Sequence, residues 1–237
     1  MIQTEGIFVG GSAIFAPIIG KDFNWTGGDG TYQVLDDGGG NWRIKFLSSG
    51  TFTPLKNMVI DAFLVGGGGG SGSSYCGAGG AGYTTTVRSV VLTANTAYSI
   101  VVGAAGTNGN PSSAGGETTA FTASAAGGKN TSNGTSSSKR PGGAGGSGGA
   151  GYVSPVATTT GGTDGGDGTS SATTGGKGQG TTTREFGEAD GTLYASGGGS
   201  NLTATVSNSG NGGRNGITSI APADGIVVIR QHKEVAA

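Results

Sequence analysis

The stretch Val65-Gly-Gly-Gly-Gly-Gly-Ser-Gly-Ser-Ser-Tyr-Cys-Gly-Ala-Gly-Gly-Ala-Gly82 decides how this chain folds. An apolar segment, residues 58–65, runs directly into five consecutive glycines. Glycine in regular structure is less favourable than alanine by roughly 0.5–1 kcal/mol, so a sequence that repeats such runs needs a structural reason for them. Segments of the same kind return at residues 142–151, 161–168, 175–180, 197–199 and 210–216.

Packed polyglycine-II helices would supply that reason. These extended threefold helices have no internal hydrogen bonds, so their amides can bond to neighbouring helices. The alternative is that the glycines are flexible linkers between small β units. The packed array is favoured because two apolar strands, residues 58–65 and 226–230, bracket it and indicate closure.

Several β-strands are predicted from alternation and from apolar runs. In residues 42–47, Trp, Ile and Phe alternate with Arg and Lys, which is typical of a half-buried strand. Together with residues 31–35 this segment predicts a β-hairpin. Residues 87–92 and 98–102 are interpreted as a second strand pair, and residues 225–230 as a central strand because they are almost continuously apolar.

The predicted fold class is all-β with little or no α-helix, because no segment has helical apolar spacing over three turns. An N-terminal β region leads into a domain of packed polyglycine-II-type helices that β-strands close. The chain divides into an attachment or N-terminal segment (1–30), a β-hairpin and strands leading into the array (31–65), the glycine-rich domain (66–230) and a tail (231–237).

Composition and charge exclude several classes of protein. Of 237 residues, 55 are glycine but only 6 are proline, which rules out collagen. Lys and Arg number 13 against 14 Asp and Glu, so no basic field would attract nucleic acid. No run of roughly 18 apolar residues predicts a membrane span. No basic segment precedes the apolar patches of residues 1–20, so a signal peptide is not predicted and synthesis in the cytoplasm is expected.

Residues with catalytic or metal-binding chemistry are scarce. Cys76 and His232 are the only cysteine and histidine, so we expect no internal disulfide and no nucleophile–histidine pair, with His232 at the surface. The glycine pattern at residues 67–72 matches the dinucleotide fingerprint, but no helix can begin after it. Asp164 and Asp167 resemble a single copy of a calcium repeat and are better explained as turn carboxylates. The expectation is a protein without enzymatic activity, cofactor or metal.

The polar inserts between the glycine runs are the candidate binding surface. If the array forms, these inserts become loops at its ends, and binding residues concentrate in loops on rigid scaffolds. Their Ser, Thr and Asn, with occasional Tyr, are typical of adaptable binding loops, although a solvated turn remains the alternative for any one of them. The receptor-binding candidates are Tyr75, Asn108, Asn110, Asn130, Asn133, Lys139, Arg140, Tyr152, Val153, Leu202, Val206 and Asn208.

An ordered set of motifs gives the chain a family resemblance. The segment Asp36-Asp-Gly-Gly-Gly-Asn-Trp-Arg-Ile-Lys-Phe-Leu-Ser-Ser-Gly-Thr-Phe-Thr-Pro54 leads through Ile60-Asp-Ala-Phe-Leu-Val65 into the glycines. Tyr98-Ser-Ile-Val-Val-Gly-Ala-Ala-Gly106 and Asp224-Gly-Ile-Val-Val-Ile-Arg230 follow. Over residues 30–230 the set resembles the glycine-rich domain of phage and prophage tail proteins, notably those of Gram-positive gut bacteria. More loosely, the architecture is similar to tail-fibre-tip adhesins with stacked polyglycine-II helices and receptor-contacting distal loops.

The resemblance implies a non-enzymatic virion protein that is made in the host bacterial cytoplasm and built into the phage tail. It would bind a bacterial cell-surface glycan or protein receptor and contact other tail-fibre or baseplate proteins, to which residues 1–30 would dock. Fibre proteins are often homotrimers, and no heptad in the sequence tests that state. Two alternatives stay open: a structural tail-tip or baseplate component, and an ice-binding protein whose glycine lattice carries small Thr and Ser side chains.

Overall fold

Two β-sheets and a glycine lattice make up the computed structural model, which describes residues 16–135, 137–152, 160–169, 174–199, 205–214 and 220–232. These residues contain ten strands and a 3₁₀ turn at Glu185–Gly187, and none of them is in an α-helix. The strands are β1 (Phe23–Trp25), β2 (Tyr32–Gly38), β3 (Asn41–Phe46), β4 (Gly50–Pro54), β5 (Met58–Val65), β6 (Thr84–Leu92), β7 (Tyr98–Val101), β8 (Thr118–Ala120), β9 (Ala123–Ala125) and β10 (Ile226–Gln231).

Both sheets are antiparallel, and each has five strands. The first sheet has the order β1-β4-β7-β8-β9 and the second has the order β2-β3-β10-β5-β6. Glycine segments separate β5 from β6, β7 from β8 and β9 from β10, so β6 to β10 complete the sheets that β1 to β5 begin. The all-β prediction is confirmed. No helix among the described residues has the length and apolar character needed to cross a membrane.

The predicted hairpin is β2 and β3, in which Val34 lies opposite Ile44. Trp42, Ile44 and Phe46 are buried, while the two basic residues between them are partly exposed. Burial thus follows the alternation in the sequence, because successive side chains of a strand point to opposite faces of the sheet.

Aromatic rings fill the space between the two sheets. The ring centroids of Phe23 and Phe52 lie 5.5 Å apart, and those of Phe46 and Phe52 lie 5.6 Å apart. The ring centroids of Trp25 and Phe46 lie 4.7 Å apart. Full burial of a large apolar side chain contributes about 1.5–3 kcal/mol, so this core is a firm base for the glycine segments that leave it.

The strand that closes the chain is central, as predicted. β10 lies between β3 and β5, with Ile226 opposite Val65 and Arg230 opposite Asp61. Residues 226–230 are all buried, which explains why they are almost continuously apolar. The prediction that the strands on either side of the array close it is confirmed by this direct pairing.

The predicted pairing of residues 87–92 with 98–102 is wrong. β6 pairs with β5 in the second sheet, whereas β7 pairs with β4 and β8 in the first. The chain therefore crosses from one sheet to the other between Leu92 and Tyr98. Leu92 and Ile100 enter the same core from opposite sheets. A short polar connection looks the same in sequence whether it joins a hairpin or links two sheets, so periodicity alone does not separate the two.

The glycines after β5 form the centre of a lattice of threefold helices. Residues three apart in this helix donate to the same neighbour: the Gly66 and Gly69 amides donate to Tyr83 O and Gly80 O at 3.0 and 2.8 Å. A period of three is that of polyglycine II. The helix is hydrogen-bonded to six surrounding segments, which are residues 80–83, 113–116, 128–131, 106, 213 and 223.

Two further helices, residues 77–83 and 147–151, are also bonded to neighbours on all sides. A methyl group on Gly68 would overlap the carbonyl of Asn211, so only glycine permits this spacing there. Buried backbone amides require partners, and the lattice supplies them. The linker alternative is thereby excluded for these segments.

The outer face of the second sheet packs against the lattice. Phe63 and Val65 form a second apolar cluster with Ala81 and Ala195. The ring of Phe63 lies 5.6 Å from that of Tyr194. We call the two facing sheets the sandwich. One face of β5 and β10 packs in the core of the sandwich, and the other face packs against the lattice.

Candidate binding surface

The lattice has two ends. At one end Gly66, Tyr83 and Gly225 connect directly to β5, β6 and β10, so this end adjoins the sandwich. The other end carries loops that we call the distal face: residues 71–76, 107–113, 130–135, 137–142 and 151–152. Loops that are remote in sequence meet there, since the Gly109 amide donates to Ser71 O at 2.9 Å.

Tyr75, Tyr152 and Lys139 form a cluster on the distal face. The two tyrosine ring centroids lie 5.7 Å apart at an interplanar angle of 57°. Lys139 Nζ lies 5.6 Å from the centroid of Tyr152, within cation–π range. Arg140, which is exposed, follows Lys139. All four residues are candidates from the sequence, and the structure brings them together from three loops.

Asn133, another candidate, holds the loop beneath this cluster. Its Oδ1 accepts a hydrogen bond from the Ser73 amide at 2.6 Å, and its Nδ2 donates to Ser73 Oγ at 3.0 Å. The Arg140 amide donates to Tyr75 O at 3.0 Å. Tyr75 is held at φ 47°, in the left-handed region that tyrosine seldom adopts. The cluster is therefore presented by a backbone that is already ordered.

Two more candidates, Asn108 and Asn130, tie the distal loops to one another. Asn108 Oδ1 accepts from the Ser71 amide at 2.8 Å, and its Nδ2 donates to Ile220 O at 2.8 Å. Asn130 Nδ2 donates to Ser112 O at 3.0 Å. These amide groups are used in holding the loops together. Asn110, by contrast, is exposed on the same face.

The remaining candidates are not on the distal face. Asn208 Nδ2 donates to Leu47 O at 2.8 Å and to Gly225 O at 2.9 Å, beside the sandwich. Val206 is 58% exposed and lies at the same end. Val153 and Leu202 fall outside the described residues.

Cys76 lies on the distal face as a partly buried free thiol. Burial raises the pKa of this thiol, and the contact from Ser71 Oγ at 3.7 Å offsets that only in part. A thiol with a raised pKa is a weak nucleophile, because the thiolate is the reactive form.

The carboxylates considered for calcium are engaged within turns. Asp164 pairs with Arg184 at 2.9 Å, and Asp167 Oδ1 accepts from the Gly178 amide at 2.7 Å. Within the described ranges, no group of three or more His, Cys, Asp or Glu residues could hold a metal ion.

A polar cavity of about 270 Å³ lies beside the second sheet, lined by Arg43, Glu185, Glu188 and Arg230 among others. Glu185 is buried; its Oε1 lies 2.6 Å from Arg43 Nη1, and its Oε2 accepts from Tyr194 Oη at 3.2 Å. Burial raises the pKa of Tyr194, and the charge of Glu185 raises it further. The positive charge of Arg43 balances the buried carboxylate of Glu185. Because Arg43 is in β3 and Glu185 is in the glycine-rich region, this ion pair in the cavity wall joins the sandwich to the lattice.

Asp61 is the centre of a second ion network that the sequence did not predict. It is buried in β5, 3.2 Å from Arg230 Nε, 3.2 Å from Arg88 Nη1 and 2.6 Å from His232 Nδ1. Burial raises the pKa of Asp61, but hydrogen bonds from His232, Ser89 and Arg230 outweigh burial and hold that pKa below its usual range. His232 is thus bonded into the fold, and the expectation of a simple surface histidine is wrong. The sequence did contain a signal for this network, because Asp61 is the one charged residue in the otherwise apolar segment 58–65.

Comparison with known proteins identifies one family. A family model described as a glycine-rich domain matches residues 47–230. The matched region includes β4 to β9, most of β10, the lattice and the distal face. No curated protein matches the chain.

Proposed function

The chain belongs to the glycine-rich domain family, and we propose that it is a non-enzymatic phage tail or tail-fibre-tip protein that binds a bacterial surface receptor. In this proposal the lattice is a rigid stem, and the distal face makes the contact with the receptor. The protein is assembled in the host cytoplasm and carried on the tail of the virion.

One observation supports the proposal most strongly: the lattice gathers sequence-remote loops into one face with a pre-ordered cluster of Tyr75, Tyr152 and Lys139. Tyrosine supplies a large contact area at low cost in conformational entropy, which suits recognition. Rigid presentation also reduces the entropy lost on binding. A solvated turn would need none of these features.

The sandwich is the expected side for attachment to other tail-fibre or baseplate proteins. Both ends of the described chain contact it: Ala16 packs against the core, and the His232 amide donates to Val59 O at 3.0 Å. Contacts on the sandwich would leave the distal face accessible to a receptor.

The test is binding of the fluorescently labelled protein to a panel of bacterial cells. We expect labelling of particular strains, and Tyr75→Ala should weaken it by about tenfold or more, as truncation of a central aromatic contact does. Val206→Ala is the matched control, because Val206 is also exposed but lies away from the distal face.

Two results would contradict the proposal. One is the absence of labelling for every strain that is a host of the corresponding phage. The other is an equal effect of Val206→Ala and Tyr75→Ala on labelling, which would show that the distal face is not the binding surface.

A further inference from the structure

The charges of the chain are distributed unevenly between the two ends of the lattice. The net charge is only −1, yet the distal face contains no acidic residue. Lys139 and Arg140 lie on this face, and Arg214 lies against it, since Asn108 Nδ2 donates to Arg214 O at 3.2 Å. Stretches without any Asp or Glu are residues 62–116, 118–163, 168–184 and 191–223.

The acidic residues that interrupt these stretches lie away from the distal face. Asp164 and Asp167 are in turns bonded to Arg184 and to the Gly178 amide, and Glu117 comes directly before β8. The other three line the cavity beside the second sheet: Glu185, Glu188 and Asp190. Asp224 accepts from the Ala105 amide at 2.6 Å, two residues before β10. The distal face therefore has a local positive potential that the overall charge does not reveal.

The aromatic cluster adds a second kind of contact beside these cations. Tyr75 is 40% exposed, and its ring meets that of Tyr152 at 57° rather than stacking flat on it. Lys139 Nζ stands 5.6 Å from the Tyr152 centroid. An aromatic ring can accept the C–H face of a sugar, while an adjacent ammonium group can bind an anionic substituent of the same sugar chain.

We propose that the distal face binds an anionic polysaccharide, whose sugar rings contact Tyr75 and Tyr152 and whose phosphate or carboxylate groups contact Lys139 and Arg140. The inference rests on the proposed function and specifies its ligand. A neutral glycan would gain nothing from the local positive potential. Single-stranded nucleic acid would require a longer cationic groove than these side chains provide.

Isothermal titration calorimetry with defined probes tests the proposal. The probes are a poly(glycerol phosphate) oligomer, an oligogalacturonate, neutral dextran and an oligothymidylate of matched chain length. We expect at least one of the two anionic polysaccharides to bind, and to bind about tenfold more weakly at about 300 mM than at about 50 mM salt, because salt screens exposed charges. The preferred anionic probe shows whether phosphate or carboxylate is recognised.

The charge variants supply the matched comparison. The double variant Lys139→Gln/Arg140→Gln should lose about tenfold or more in affinity for the anionic probe. Lys177→Gln is the control, since it removes a charge from an exposed lysine in another part of the lattice. Unchanged thermal unfolding of all variants verifies that they fold.

The outcomes separate this inference from the proposed function. Failure of both anionic probes to bind, equal binding of dextran, or tighter binding of the oligothymidylate would overturn the inference. The inference would also be overturned if the double variant labelled host cells as strongly as the unaltered protein at both salt concentrations. That result would still agree with the proposed binding to a receptor. Absence of cell labelling by the unaltered protein contradicts the proposed function instead.

Discussion

Replacement of Gly68 by alanine is the most direct probe of the lattice. Gly68 is at the centre of the helix 66–70, and an added methyl group would overlap the carbonyl oxygen of Asn211. The obstacle is backbone rather than a flexible side chain, so it can be relieved only by moving a neighbouring helix. A linker glycine would accept the same change without loss.

The expected loss of stability follows from the contacts of Gly68. Its amide donates to Ala223 O at 2.8 Å, and its carbonyl accepts from the Gly106 amide at 2.8 Å. Each bond contributes about 0.5–1.5 kcal/mol, and overpacking costs about 1–3 kcal/mol. Alanine recovers about 0.4–1 kcal/mol by restricting the unfolded chain. At the middle of each range the net destabilisation is about 3 kcal/mol, equivalent to a melting temperature about 6–12 °C lower.

Urea and thermal unfolding of Gly68→Ala beside Ala126→Ser would measure this difference. Ala126 is an exposed residue in a neighbouring glycine segment, so its substitution should change stability by less than about 0.5 kcal/mol. Equal stability of Gly68→Ala and the control would refute the reasoning, because it would mean that the central helix can separate from its neighbours at no cost.

Three other predictions concern Asp61, Asn108 and Cys76. Asp61→Asn should destabilise the protein by about 1.5–3 kcal/mol in urea unfolding at neutral pH, because the buried Arg230 would lose one of its two carboxylate partners and keep only Glu188. The pKa of Asp61 lies below its usual 3.8, so the stability that it provides is present above that value and is lost as the pH falls through the lowered pKa; the variant should lack this part of the acid dependence. Asn108→Ala should cost about 1 kcal/mol and increase hydrogen exchange in residues 71–76, whereas unchanged exchange there would contradict its role as a tie. Cys76 should react with a maleimide more slowly than an unstructured cysteine peptide at neutral pH, since burial raises the pKa of its thiol; an equal rate would count against that burial.

Much of the fold follows from local patterns in the sequence. The alternation in residues 42–47 predicts which face of β3 is buried, and the almost continuous apolar run at residues 225–230 predicts a central strand. Two such strands on either side of the glycines favour a closed lattice over linkers. Each of these inferences depends on residues that are close together in the chain.

Features that depend on long-range placement could not be predicted in this way. The exchange of sheets between β6 and β7 and the contact of Asp61 with His232 are set by tertiary packing. Asparagine poses the same difficulty at the candidate surface. Asn108 and Asn208 hold backbone together while Asn110 is exposed, yet all three occur in similar polar inserts.

Hydrogen exchange on the bound protein tests the central claim most directly. The ligand would be cell-wall polysaccharide purified from a bacterial strain that the protein labels. Binding should slow exchange in residues 71–76 and 130–142, which carry the Tyr75–Lys139 cluster, and leave residues 205–208 beside the sandwich unchanged. If binding slowed exchange around the Glu185 cavity and left exchange on the distal face unchanged, the binding surface would not be the one proposed.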